Sequence, residues 1–264
     1  LAGGALTRAL RLAQARHPLL RVAIEVTGDR ARFAEPDPPP PIPLKELAVP
    51  ARETPGLIEA EIQTPIPWAQ APLLRAVWLR HGLECSTLLL TFHHAIGDGF
   101  SGAYLARDVL YACGAPVSSE EDPAALPLPA PLEDHLPMTS RDARGVLGTL
   151  GELLRQAWMH LRLRGLPAKV APERKVPVPE RRAGIVPLRL APETTAALLA
   201  RCRAEGTTLH GALGAALTLA VVAELGTGAR GVVANFGSPV NLRARMTPPV
   251  GEDIGLFVSL AAAQ

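Results

Sequence analysis

Thr87-Leu88-Leu89-Leu90-Thr91-Phe92 is apolar and β-prone, and it runs without a break into His93-His94-Ala95-Ile96-Gly97-Asp98-Gly99. A run of this kind predicts a buried strand. The two glycines and the aspartate end it and open a helix, because Phe100 to Leu110 places Leu105, Val109 and Leu110 near helical spacing with Arg107 and Asp108 on another face. Strands and helices alternate in this way along both halves of the chain, which points to an α/β fold with mixed sheets.

Successive side chains of a strand point to opposite faces, so one of the paired histidines can face a cleft while the other packs inward. The same geometry argues against a shared metal, since adjacent strand residues rarely converge on one ion. A neutral imidazole is suited to taking a proton from an alcohol or amine as it attacks a carbonyl. His94 is assigned that role. Asp98 has two possible tasks: capping the helix through the amides of Phe100 and Ser101, or pairing with a distant cation.

Prolines and glycines set out the rest of the chain. Residues 6–16 read as an amphipathic helix stopped by His17-Pro18, and residues 19–26 and 30–34 as a hairpin around Gly28-Asp29. Residues 35–43 are proline-rich and extended. A short helix near 55–63 precedes strands at 73–80 and 87–93, and 114–137, with six prolines, reads as a loop. Residues 145–164 read as a helix with Leu147, Leu150, Leu154, Trp158 and Leu161 close to one face, Trp158 being expected in the core. Residues 185–190 read as a strand, 192–204 as a helix with proline in its first turn, 209–225 as a buried helix, and 230–236 and 254–260 as strands. Two lobes are expected: 1–165 carrying the histidine motif, a linker at 166–182, and 183–264.

A chain of 264 residues, 48% of them hydrophobic, can bury one large core or two smaller ones. A net charge of +2 gives no electrostatic case for nucleic acid. The basic excess is local: residues 162–182 carry seven basic side chains against Glu173 and Glu180. They read as a solvated linker, or as a docking patch for an acidic carrier protein or the phosphates of coenzyme A. Cys85, Cys113 and Cys202 have no metal spacing and read as reduced thiols of a cytoplasmic protein. The longest uncharged run, 207–223, is too short for a membrane span. Two further histidines read structurally, His210 as packed or hydrogen-bonded core and His17 as a helix-end residue whose positive charge suits the dipole. Gly99-Phe100-Ser101-Gly102-Ala103 lacks the final glycine of a hydrolase elbow.

The motif HHxxxDG formed by His93 to Gly99 resembles that of the superfamily of chloramphenicol acetyltransferase, peptide-synthetase condensation domains, plant alcohol acyltransferases and polyketide-associated acyltransferases. Three more segments, in the family's order, support the resemblance: Ala15-Arg16-His17-Pro18-Leu19-Leu20-Arg21-Val22, Ser238-Pro239-Val240-Asn241-Leu242-Arg243-Ala244-Arg245, and Asp253-Ile254-Gly255-Leu256-Phe257-Val258. Ser259 stands where the family often has asparagine. The resemblance implies a two-lobed chloramphenicol-acetyltransferase-like α/β fold with mixed sheets, whose second lobe is incomplete in this chain. It implies an acyltransferase that moves an acyl group from a coenzyme A or carrier-protein thioester to a hydroxyl or amine, with His94 as base and no tightly bound cofactor or metal. The donor and acceptor would enter a channel from opposite ends. The resemblance further implies that Asp98 pairs with Arg243, that His93 supports the motif, and that Gly99 leaves room for the donor arm. Its helix amides could steady charge on the thioester oxygen. Another chain that completes the second lobe would cover apolar residues around 254–260. The competing class is a non-catalytic condensation-like module that binds a carrier protein or partner chain. The acyl chain, the acceptor and the substrate-binding residues are not legible.

Overall fold

The computed structural model describes residues 3–115, 124–136, 143–163, 174–225, 233–234 and 236–263. Packing groups the chain into two compact units, each assembled from separate stretches: Leu1–Leu136 with Arg182–Ile185 and Asn241–Val258, and Pro137–Arg181 with Val186–Val240 and Ser259–Gln264.

In the first unit, α1 (Gly3–Arg16) buries Leu6, Ala9, Leu10 and Ala13, residues three to four apart that form one stripe. It stops where Pro18 follows His17, whose amide closes the last turn on the Ala13 carbonyl at 3.0 Å. The hairpin pairs β1 (Ala23–Thr27) with β2 (Arg30–Ala34) in antiparallel register, Thr27 opposite Arg30. Gly28, at φ +63°, occupies the left-handed conformation that this two-residue turn requires. β3 (Leu44–Ala48) follows the proline-rich stretch and was not anticipated. It lies parallel to β4 (Leu74–Arg80), and the connection between them contains α2 (Thr54–Gln63). β5 (Ser86–Phe92) returns antiparallel, Phe92 opposite Leu74, so the sheet is mixed in the order β3-β4-β5.

α3 (Gly99–Gly114) packs across α1, and its Leu105 and Val109 join Leu6, Leu10, Leu20, Leu73, Leu74, Trp78 and Ile96 in one core. Leu88, Leu90 and Phe92, alternate residues of β5, press on that core. The short α4 (Leu132–His135) gives its last carbonyl to the Thr247 amide at 3.0 Å.

The second unit contains α5 (Ala143–Leu163), α6 (Pro192–Ala204) and α7 (Leu209–Leu225). β6 (Phe236–Asn241) and β7 (Val258–Ala263) pair in a two-stranded sheet. α6 begins on Pro192 as expected, because the missing amide of a proline costs nothing in a first turn. Three expectations fail here. Residues 185–190 form no strand; Pro187 interrupts the run, and Val186 and Leu188 are largely exposed. α7 is not buried among the described residues, since Leu217 and Leu219 are 62% and 69% exposed. Trp158 is also on the surface, stacked under the Arg162 guanidinium 5.2 Å from its ring centre.

The strand expected at 254–260 begins only at Val258. Ile254 and Phe257, expected on an exposed edge, are 4% and 2% exposed, while Leu260 remains open. The strand expected at 230–236 falls mostly outside the described residues, as do 164–173 of the basic stretch and 116–123 of the long loop. No single described helix is long and apolar enough to cross a membrane.

Candidate functional site

β5 delivers the paired histidines to a tight corner. The amide of His93 donates to the Leu73 carbonyl at 2.9 Å, which extends the β4 pairing one residue past the strand. The chain then turns through a single 3-10 turn at His94–Ile96. His93 caps that turn with its own ring, since Nδ1 accepts the Ala95 amide at 3.1 Å. A neutral His93 therefore carries its proton on Nε2. Ile96 is fully buried and anchors the turn in the core. Between them His94 is exposed, and its ring makes no hydrogen bond with a described residue.

The second half of the corner is held differently. A Cβ on Gly97 would lie 2.9 Å from Cβ of Ser101 and 3.1 Å from the Phe92 ring, so only glycine fits where strand end and helix start converge. Asp98 follows as the N-cap of α3 and accepts the Ser101 amide at 2.9 Å. A Cβ on Gly99 would meet nothing within 4 Å, so the backbone there borders open space.

Asp98 both caps the helix and pairs with a distant cation, the cap resting on the Ser101 amide and not, as also expected, on that of Phe100. Its Oδ1 accepts from the amide and the hydroxyl of Ser101, and its Oδ2 from Arg243 Nη1 at 2.9 Å and the Phe257 amide at 3.0 Å. Asp98 and Arg243 are 4% and 3% exposed. Burial opposes ionisation of the carboxyl. The hydrogen bond from Arg243, the amides of Ser101 and Phe257 and the Arg243 charge outweigh it, so the Asp98 pKa lies below its ordinary value. With both oxygens doubly occupied, this carboxylate is built to hold structure.

Arg243 fixes the far side. Nη2 donates to the Ser101 hydroxyl at 3.0 Å and to the carbonyls of Asp253 and Gly255. Its guanidinium lies over the Phe257 ring, 4.9 Å from the centre, and 5.7 Å from that of Tyr104. Four backbone groups of 253–257, the amides of Gly255 and Phe257 and the carbonyls of Asp253 and Gly255, are spent on Ser101, Asp98 and Arg243 and are not free for a strand ladder.

His17 departs from its expected role. It is 1% exposed, with Nε2 2.9 Å from Asp108 Oδ2 on α3. Burial pushes its pKa below the ordinary histidine value despite Asp108, so the neutral ring is favoured and dipole complementarity is not its task. Arg107 continues the chain of charges from Asp108 to Glu252. His210 is likewise not core: it is exposed, with Nε2 2.5 Å from the Ser238 hydroxyl. Cys85, Cys113 and Cys202 are free thiols.

Sequence reasoning treated Ser101 only as a capped amide and a failed hydrolase serine, and it missed Tyr104 and the Phe257 amide. The signal for Ser101 was present in its spacing, since a hydroxyl three residues after an N-cap aspartate stands beside that carboxylate.

Residues 179–264 match the family model of the phthiocerol/phthiodiolone dimycocerosyl transferase C-terminus. Two curated relatives align with nearly the whole chain. A probable non-canonical nonribosomal peptide synthetase, CymA of Salinispora arenicola, is 28% identical over 97% of this chain and 3% of its own length. Phosphinothricin tripeptide synthetase PhsC of Streptomyces viridochromogenes is 31% identical over 98% of this chain and 23% of its own. The chain thus spans under a quarter of either relative. The first condensation domain of the calcium-dependent antibiotic synthetase has the same fold, with a TM-score of 0.64 at 21% identity over 99% of this chain and 60% of that one.

Proposed function

We propose, for a chain that belongs to the HHxxxDG acyltransferase superfamily, that its reaction is acyl transfer from a pantetheine thioester to a hydroxyl or amine, with His94 as general base. The observation that carries the reading is the contrast within the motif. His93, Ile96, Gly97 and Asp98 are all committed to holding the corner, whereas His94 alone presents an exposed ring that no described residue engages.

An imidazole nitrogen of His94 would take the proton from the acceptor O–H or N–H as that atom attacks the thioester carbonyl. Collapse of the tetrahedral adduct breaks the C–S bond. The thiolate leaves with the proton that the imidazolium returns, so the base is restored at the end of one turnover. Asp98 serves by holding the turn, not by accepting a proton. Coenzyme A and a carrier protein both present a pantetheine arm, so the chemistry at His94 is the same for either donor. The basic side chains of 162–182 suit the phosphates or acidic surface behind that arm.

Octanoyl-pantetheine, the part both donors share, tests the reading with 1-octanol or octylamine as acceptor and thiol release as the signal. Release should depend on the acceptor, and His94→Ala should slow it by about 10²–10⁴-fold, the contribution of a general base. Equal turnover by His94→Ala and the parent would remove His94 from the mechanism.

A further inference from the structure

Ser101 is 1% exposed, and its single hydroxyl sits where three segments meet. Oγ accepts the Gly255 amide at 3.1 Å and Arg243 Nη2 at 3.0 Å. Two acceptors compete for its one proton, Asp98 Oδ1 at 3.0 Å and the Gly255 carbonyl at 2.9 Å. That carbonyl also accepts from Arg243 Nη2 at 3.3 Å, so the Ser101 hydroxyl can donate to the ionised Asp98 without leaving the carbonyl bare.

The contact with Gly97 gives this arrangement a direction. The turn that carries His94 is held at its start by the His93 ring on the Ala95 amide. Its end is closed by the Ile96 amide on the His93 carbonyl at 3.0 Å, and the next residue, Gly97, packs against the side chain of Ser101, whose Oγ would be 3.3 Å from a Cβ on that glycine. Ser101 is in turn immobilised by Asp98, Arg243 and Gly255. Resting on the acyl-transfer reading, we propose that Ser101 is a positioning residue for His94. Its hydroxyl ties the 253–257 segment to the first turn of α3, and Oγ, held there, backs the Gly97 side of the histidine turn. It touches no reacting atom.

The full chain should be tested with Ser101→Ala and Ser101→Thr beside the parent. With octanoyl-pantetheine and 1-octanol, Ser101→Ala should lose on the order of 10²-fold in kcat, as a misplaced base does. KM should stay within about threefold, and Ser101→Thr, which keeps the hydroxyl, should recover most of the loss. Histidine-labelled protein gives a second readout by NMR. The His94 ring resonances should shift in Ser101→Ala under conditions where the amide spectrum shows a folded chain. Unchanged kcat in Ser101→Ala, or equal losses in the two variants while both are folded, would overturn the proposal. If His94→Ala turns over like the parent, it is the acyl-transfer reading that falls. The positioning of His94 is then decided by the ring resonances, and resonances that do not move between parent and Ser101→Ala overturn it.

Discussion

Replacing Arg243 by alanine should strand a buried carboxylate, and the penalty should depend on pH in a particular sense. Arg243 and Asp98 are both almost fully buried, and the variant deletes the bond from Nη1 to Oδ2 while leaving Asp98 its three donors from Ser101 and Phe257. Breaking a buried pair from one side costs about 3–5 kcal/mol. That loss should appear at pH 7 as a lower urea midpoint with an unchanged slope. In the parent, Asp98 ionises more readily folded than unfolded, so its contribution is present above the ordinary carboxylate range and is lost as pH falls through the depressed folded pKa. In Arg243→Ala the hydrogen bond and the charge that lower the Asp98 pKa are gone while its burial remains, so the folded pKa should rise from the parent's and less of this group's stability should be lost on acidification.

Acidification below the ordinary carboxylate range should therefore weaken the parent more than the variant, and the gap between them should narrow from pH 7 to about pH 3. The double variant Asp98→Asn with Arg243→Met should lose less than the sum of the single changes, because neither charge is left alone. A gap below about 1 kcal/mol at pH 7 would contradict the cost expected of a stranded buried charge. A gap that stays constant down to about pH 3 would show that Asp98 does not carry it.

Gly97→Ala should destabilise the chain by about 1–3 kcal/mol, the cost of overpacking, since its methyl must displace Ser101 and Phe92; a denaturation midpoint equal to the parent's would mean the corner yields freely. For His17, the folded chain favours the neutral ring, so stability should drop as pH falls through the ordinary histidine range towards the lowered folded pKa. His17→Phe should flatten the change in urea midpoint between pH 7.5 and 5.5, and an undiminished slope in that variant would assign it to another group.

Local punctuation made much of the first unit legible. Gly28-Asp29 marked the β1–β2 turn, Pro18 ended α1, and the step from an apolar run to helical spacing placed β5 and α3. β3 was missed because Leu44-Lys45-Glu46-Leu47-Ala48 has neither strict alternation nor β-branched residues; its pairing with β4 makes it a strand. The corner itself could be anticipated only in part. The family pattern pointed to Arg243 as the partner of Asp98, but the Phe257 amide and the Ser101 hydroxyl belong to bonds that span up to 159 positions and leave no periodic trace. His17 was misread because helix-end position suggested a charge, whereas contact with Asp108 and deep burial decided its protonation. α7 shows the opposite failure: an apolar composition predicts burial without saying what covers it.

The separation of 145 positions between Asp98 and Arg243 also bears on how the chain is made. Synthesis at roughly 5–20 residues per second means that about 7–30 s separate the emergence of the aspartate from that of its arginine. Through that interval a carboxylate destined for the interior has only the first turn of its own helix to bind. The nascent corner can stay hydrated until the later segment arrives, so its closure belongs to the last stage of folding of the first unit. A ribosome-bound chain halted before residue 243 would expose the Asp98 carboxylate to water, and one halted well after residue 257 would not.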